Sequence, residues 1–162
     1  MWRKKHARSI RQRPSRQRRR HRATEPHLQT SHPCAARKVY AAGIDPQKIV
    51  RWFGRPDAAT ETLRAEVDPR VGGRFRFSFS ANGEYYEVGG VYREVVPHKR
   101  LVFSWAWHTT PERESQVTVI LQPDGDGTLL TLHHERLFDQ ASRDGHERGW
   151  TVGLERMEKL LS

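Results

Sequence analysis

The sequence predicts one α+β domain in which a curved antiparallel sheet wraps a long C-terminal helix. Three observations predict it. Segments with alternating apolar and polar residues succeed one another between residues 61 and 135; turns rich in Gly, Asn, Asp and Pro separate them; and a single stretch near the C-terminus has helical spacing. Strands joined in succession by short turns pair with their neighbours as an antiparallel meander. One apolar helical stripe then needs a sheet to lie on. A chain of 162 residues has room for one such domain and an extension, not for two independent cores.

The extension is assigned to residues 1–33 and the domain to residues 34–162. Residues 1–22 hold eleven Lys or Arg and no acidic residue, while the remaining 140 residues hold 18 basic and 19 acidic side chains. The formal net charge of +10 therefore belongs to the extension. A domain that binds phosphate carries its own positive face, so nucleic-acid affinity is expected only through the basic tail. With almost no aliphatic residues, the tail is expected to be disordered. Three readings of it stay open: an RNA-binding arm, an organelle-targeting segment, and sequence upstream of the natural start. Glu25 to Pro33 reads as a poor strand.

The domain's elements follow in order. Ala35 to Ala42 is a run of helix formers stopped by Gly43. Asp45 offers an N-cap with Pro46 in the first helical position, opening a short helix through Ile49, Val50, Trp52 and Phe53. Leu63, Ala65 and Val67 share one face of a short strand. Arg74 to Ser80 puts Phe75, Phe77 and Phe79 on one face and polar residues on the other. Asn82-Gly83 centres a hairpin leading to a strand from Tyr85 to Val96, with a bulge or sharp curvature expected at Gly89-Gly90. Arg100 to His108 places Leu101, Phe103, Trp105 and Trp107 on one face. Gln116 to Gln122 and Thr128 to Glu135 flank an acidic hairpin. The closing helix is placed at Gly145 to Leu161, with Trp150, Leu154, Met157 and Leu161 in one stripe.

Several motifs occur in a recognisable order: Val39 to Ala42 with Asp45 to Gly54, Asp68 to Phe77, Gly89 to Pro97, Arg100 to Trp105, Gly127 to Leu132, and Gly149-Trp150 to Leu161. This series resembles bacterial proteins similar to the C-terminal domain of the activator of the heat-shock-protein-90 ATPase, within the START-like, polyketide-cyclase and birch-allergen-like (SRPBCC) superfamily. The resemblance implies the helix-grip fold. It also implies a cavity between sheet and terminal helix, the usual ligand site of that fold.

The candidate lining is Phe75, Phe77, Tyr86, Val88, Phe103, Trp105, Val117, Val119, Leu132, His134, Trp150, Leu154 and Met157. Apolar and aromatic walls suit a small hydrophobic ligand; the same side chains would also make a filled core, and both readings stay open. A protein partner, as in a co-chaperone, is the first alternative. An enzyme of the cyclase or hydrolase kind using His134, Glu135 or Tyr86 is the second. No catalytic residue is assigned, and a non-enzymatic role is expected.

In His133-His134-Glu135, adjacent strand residues face opposite ways, so His133 and Glu135 share a face that His134 does not. Neither a metal nor another cofactor is expected. His108 and His146-Glu147 read as solvated termini, and Trp52 as the anchor of its helix on the sheet. No stretch approaches the roughly 20 apolar residues that span a bilayer, and no secretory pattern is present. Cys34 is the one cysteine and reads as a small semi-buried side chain; a cytoplasmic home fits this composition.

Overall fold

Alternation in the sequence becomes a seven-stranded sheet. In the computed structural model, which describes residues 25–162, the chain order is β1 (His27–His32), α1 (Ala36–Ile44), α2 (Pro46–Trp52), β2 (Arg64–Val67), β3 (Arg74–Ala81), β4 (Glu84–Val96), β5 (Arg100–Trp107), β6 (Ser115–Asp124), β7 (Gly127–Glu135) and α3 (Gln140–Leu161). Every pairing is antiparallel and the spatial order is β1-β7-β6-β5-β4-β3-β2. The chain crosses once, from β1 through the two short helices to β2 at the far edge, then meanders back to β7. This is the α+β helix-grip arrangement.

The buried face of the sheet follows the two-residue period. Phe75, Phe77 and Phe79 of β3, Val88 and Tyr92 of β4, Leu101 and Trp105 of β5, Val117 of β6 and Leu132 of β7 are all buried. α3 answers with Trp150, Leu154 and Met157, and the Trp105 and Trp150 rings sit 5.0 Å apart. Each large side chain so removed from water contributes roughly 1.5–3 kcal/mol.

The local signals for α2 hold. Asp45 Oδ1 accepts from the Gln47 N–H at 2.9 Å, and Pro46 occupies the first turn. Trp52 is buried and its indole N–H donates to the Ala42 carbonyl at 2.8 Å, tying α2 to α1. Its ring also lies against Gly153 of α3, so it anchors α2 to a helix as well. The Asn82-Gly83 turn has φ of 52° and 78°, the two left-handed residues of a tight hairpin.

Four expectations need correction. The poor strand is a real one: β1 pairs along all six residues with β7, from His27 opposite His133 to His32 opposite Thr128. An edge strand needs only one partner, and Leu28 and His32 point inward while the exposed alternates are polar. The ordered domain thus includes residues 27–32; the readings of residues 1–24 lie outside the described residues. α1 continues through Gly43 to Ile44, with Asp45 as both its C-cap and the N-cap of α2. The register shift in β4 lies between Tyr92 and Glu94 rather than at the glycine pair, although the pairing with β5 also skips Gly90 and Val91; a Cβ on Gly90 would collide with the Ser104 carbonyl and the Phe75 ring. Finally, α3 begins at Gln140, five residues early, because Asp139 caps it by accepting from the Ser142 N–H at 2.8 Å.

Candidate functional site

Two voids lie between the sheet and the helices. The smaller, about 60 Å³, sits under the C-terminal half of α3 and is lined by Phe75, Phe77, Phe103, Leu132, Trp150, Leu154 and Met157 among others. The larger, about 570 Å³, opens between the N-terminal half of α3, the β3–β4 hairpin, the end of β5 and the segment following α2. Trp52 and Trp150 line both and form their shared wall.

The large cavity has an apolar body and a polar mouth. Phe53, Phe79, Trp105, Trp107 and Trp150 supply the body. α3 presents Ser142, Gly145, His146, Gly149, Trp150 and Gly153, which is one helical face. A Cβ built on Gly145 or Gly149 meets nothing within 4 Å, so these two positions leave helix backbone facing open space. At the mouth, Arg55 binds both oxygens of Asp57 at 2.9 and 2.8 Å and donates to the Tyr86 hydroxyl at 2.9 Å. Tyr86 in turn donates to Glu84 at 2.8 Å, and that bond, ahead of desolvation, holds its phenol above the ordinary range. Arg55 is thereby neutralised where it stands.

The cavity wall is part of a network of indoles and imidazoles that continues behind it to His134 and Ser115. His146 Nε2 accepts from the indole N–H groups of Trp105 at 3.3 Å and Trp107 at 3.0 Å. Its proton must then sit on Nδ1, which donates to the Ser142 carbonyl at 2.7 Å. His134 is fully buried; Nδ1 accepts from the Trp150 indole at 3.0 Å, so Nε2–H donates to Ser115 Oγ at 2.7 Å. The Ser115 hydroxyl in turn donates to the Trp105 carbonyl at 3.2 Å. The two imidazole rings are 4.8 Å apart. Burial is the main cause that lowers both pKa values, that of His134 to about 3 with His146 and His133 adding to the shift. Both rings are neutral near pH 7 and both bare nitrogens are engaged by indoles. Neither offers a lone pair to a bound molecule while the network stands.

A family model described as Activator of Hsp90 ATPase homolog 1-like protein matches residues 33–162. The chain belongs to this family. Solved structures similar to this Hsp90-activator-like domain include protein CV1439 from Chromobacterium violaceum, 24% identical with a TM-score of 0.74 over 83% of this chain and 94% of that one. Mll3558 from Rhizobium loti is 31% identical, with a TM-score of 0.67 over 82% and 93%. CalU16 from Micromonospora echinospora is 26% identical, with a TM-score of 0.63 over 84% and 74%. No curated protein matches the chain. Among the described residues, no helix is long and apolar enough to cross a membrane.

The Hsp90-activator-like domain distributes the thirteen candidate residues among three settings. Phe75, Phe77, Phe103, Val119, Leu132, Leu154 and Met157 surround the small void, where packing leaves little room. Tyr86 and Trp105 line the large cavity, and Trp150 lines both. Val88 and Val117 are buried in the core and line neither, and His134 stands behind the wall. Glu135 lies on the outer face with His133 rather than in the interior, its carboxylate 3.9 Å from that ring. His146 is no solvated terminus: α3 starts early enough to carry it inward beside two tryptophans. The signal for it was available, since His146 lies four residues before Trp150 and shares its helical face. Trp107, Gly145 and Gly149 carry the same kind of signal, Trp107 by sharing a strand face with Trp105 and the two glycines by sharing a helical face with His146 and Trp150.

Proposed function

We propose that this domain holds a small, uncharged, ring-bearing apolar molecule in the cavity between the N-terminal half of α3 and the β3–β5 end of the sheet. The observation that carries the reading is the cavity itself: about 570 Å³, walled by indoles and phenyl rings. That size is in the usual range for small-molecule sites. Polar wall atoms argue for a neutral occupant. Arg55 is matched by Asp57, Glu84 stands beside it, and the imidazole of His146 already serves two indoles. A carboxylate or phosphate would find no unmatched cation there and would lose its hydration. The bare backbone at Gly145 and Gly149 lets a flat ring approach α3 closely, in a cavity that Trp105 and Trp107 also line. Stacking with such rings adds about 0.5–1.5 kcal/mol beyond area burial.

Four tryptophans line the cavity, so intrinsic fluorescence reports an occupant. Titration with the neutral fluorophore N-phenyl-1-naphthylamine is expected to quench tryptophan emission and saturate at one molecule per chain. Dodecanoate, flexible and anionic, is expected to bind at least about tenfold more weakly, a difference of about 1.4 kcal/mol. Native mass spectrometry of the chain taken from cell extract would show any natural occupant as added non-covalent mass. If no neutral aromatic probe saturates and no mass is added, the cavity is not a ligand site.

A further inference from the structure

We infer that Glu25, His133 and Glu135 form a site for a divalent first-row transition metal ion, with zinc the best match, on the outer face of the sheet where β1 meets β7. His133 and Glu135 alternate on β7 and so share a face. β1 brings the third group: the residues before His27 run beside the end of β7, where the Pro26 carbonyl accepts from the His134 N–H at 2.9 Å. Glu25 Oε2 then lies 3.7 Å and Glu135 Oε2 3.9 Å from His133 Nε2, and all three atoms fall within 4.8 Å of one another.

The carboxylates are oriented from behind. Glu25 Oε1 accepts from the Arg136 N–H at 3.0 Å, and Glu135 Oε1 accepts from the Gln116 side-chain amide at 2.9 Å. Each carboxylate is thus fixed by one oxygen and presents the other toward the same point as the imidazole. Supporting hydrogen bonds of this kind are what position metal ligands. His133 Nδ1 is buried without a partner, so Nε2 is the nitrogen through which this ring meets anything outside the fold. Separations of 3.7 and 3.9 Å are too long for hydrogen bonds. An ion with bonds of about 2.0–2.2 Å at tetrahedral angles sets its ligand atoms roughly 3.4 Å apart, so each carboxylate oxygen closes on His133 Nε2 by a few tenths of an ångström and the two carboxylate oxygens close on each other by up to about 1.4 Å.

Chemistry selects the metal class. Two carboxylates beside an imidazole bring two negative charges to one point, which one dication offsets. Mixed nitrogen and oxygen donors suit zinc or its first-row neighbours, whereas calcium takes six to eight oxygens. Three protein ligands leave a fourth position for water. His27, opposite His133 in the β1–β7 register with ring centroids 5.7 Å apart, is the next donor at hand. The ion would clamp the first strand to the last, outside the ligand cavity and independently of it.

The test is equilibrium dialysis of the chelator-treated full chain against micromolar zinc, alongside Glu25→Gln, Glu135→Gln and the double variant. Near-ultraviolet circular dichroism of the metal-free proteins checks that all keep the same fold. The wild-type chain is expected to hold one zinc more than the double variant and to melt higher with zinc than without. Each single variant should bind that zinc about tenfold or more weakly. Cobalt(II) in place of zinc should give visible absorption bands that the double variant lacks. Equal zinc content in all four proteins overturns the proposal, whether the metal then sits at other histidines such as His6 and His21 or is not bound at all.

Discussion

His134 shows how one buried residue sets a property of the whole chain. Its imidazole stays neutral in the fold, held down to about 3 chiefly by burial, while in the unfolded chain it returns to about 6.5. Above about pH 6.5 neither state is protonated and the residue carries no penalty. Below it the unfolded chain takes up a proton that the fold refuses, so stability falls as pH drops from about 6.5 toward 3, by about 1.4 kcal/mol per unit. Urea unfolding at pH 7 and pH 5 should differ by about 2 kcal/mol from this residue alone. His146 and His32, lowered mainly by burial too, act in the same direction. His134→Gln keeps an N–H able to reach Ser115 but does not titrate, and it should flatten the slope by about His134's share. An unchanged slope would mean that the proton uptake belongs to other groups. Alternation in the sequence put His134 on the face opposite His133 and made it a cavity candidate, without deciding which face is buried. It did not show that Ser115, Trp150 and His146 would gather around it, since two other elements, β6 and α3, supply them.

At the scale of the element, α3 trades helix stability for space. Glycine inside a helix costs about 1 kcal/mol relative to alanine, and this helix carries Gly145, Gly149 and Gly153 at four-residue spacing. Packing explains only the last, whose Cβ would touch the Trp52 ring at 3.4 Å. Gly149→Ala should therefore raise stability by about 1 kcal/mol in thermal or urea melts, while Gly153→Ala gains less because its methyl presses on Trp52. Gly149→Leu should fold as well as the parent yet weaken binding of the aromatic probe about tenfold or more, by filling the cavity beside Trp150. Probe binding that ignores the leucine would move the ligand elsewhere. These glycines also mask the helix start in the sequence. A helical glycine resembles a boundary in sequence, whereas the true start is set by the Asp139 side chain accepting from the Ser142 N–H. The strands were easier, because alternation such as Phe75-Arg76-Phe77-Ser78-Phe79 depends on one face alone. A cavity depends on what is missing between two faces, which no single segment displays.

Across the whole molecule the least legible element is the one that completes the sheet. The meander from β2 to β7 follows from adjacency in the chain, whereas β1 must find β7 about a hundred residues away, and its His, Gln, Thr and Ser content carries no strand signal. Its stability comes from position. Leu28 packs against the core and His32 is only 2% exposed. Gln29 donates to Thr131 at 3.2 Å and Ser31 to Asp124 at 3.0 Å along the solvent side. A chain begun at Cys34, the boundary suggested by composition, would lose all of this and leave β7 as an open edge with Leu130 and Leu132 beside it. Unpaired edges of this kind recruit other chains. Losing the burial of Leu28 alone should cost up to about 2 kcal/mol, or about 5 °C in a domain of this size. A chain begun at Glu25 keeps the strand and the Pro26 carbonyl bonded to the His134 N–H. Melting and light scattering of the two truncated chains side by side should show the shorter one unfolding at lower temperature and associating at concentrations where the longer one stays monodisperse. Equal melting of the two would mean that β1 rests on the sheet without stabilising it, and that the core is closed by β7 and α3 alone.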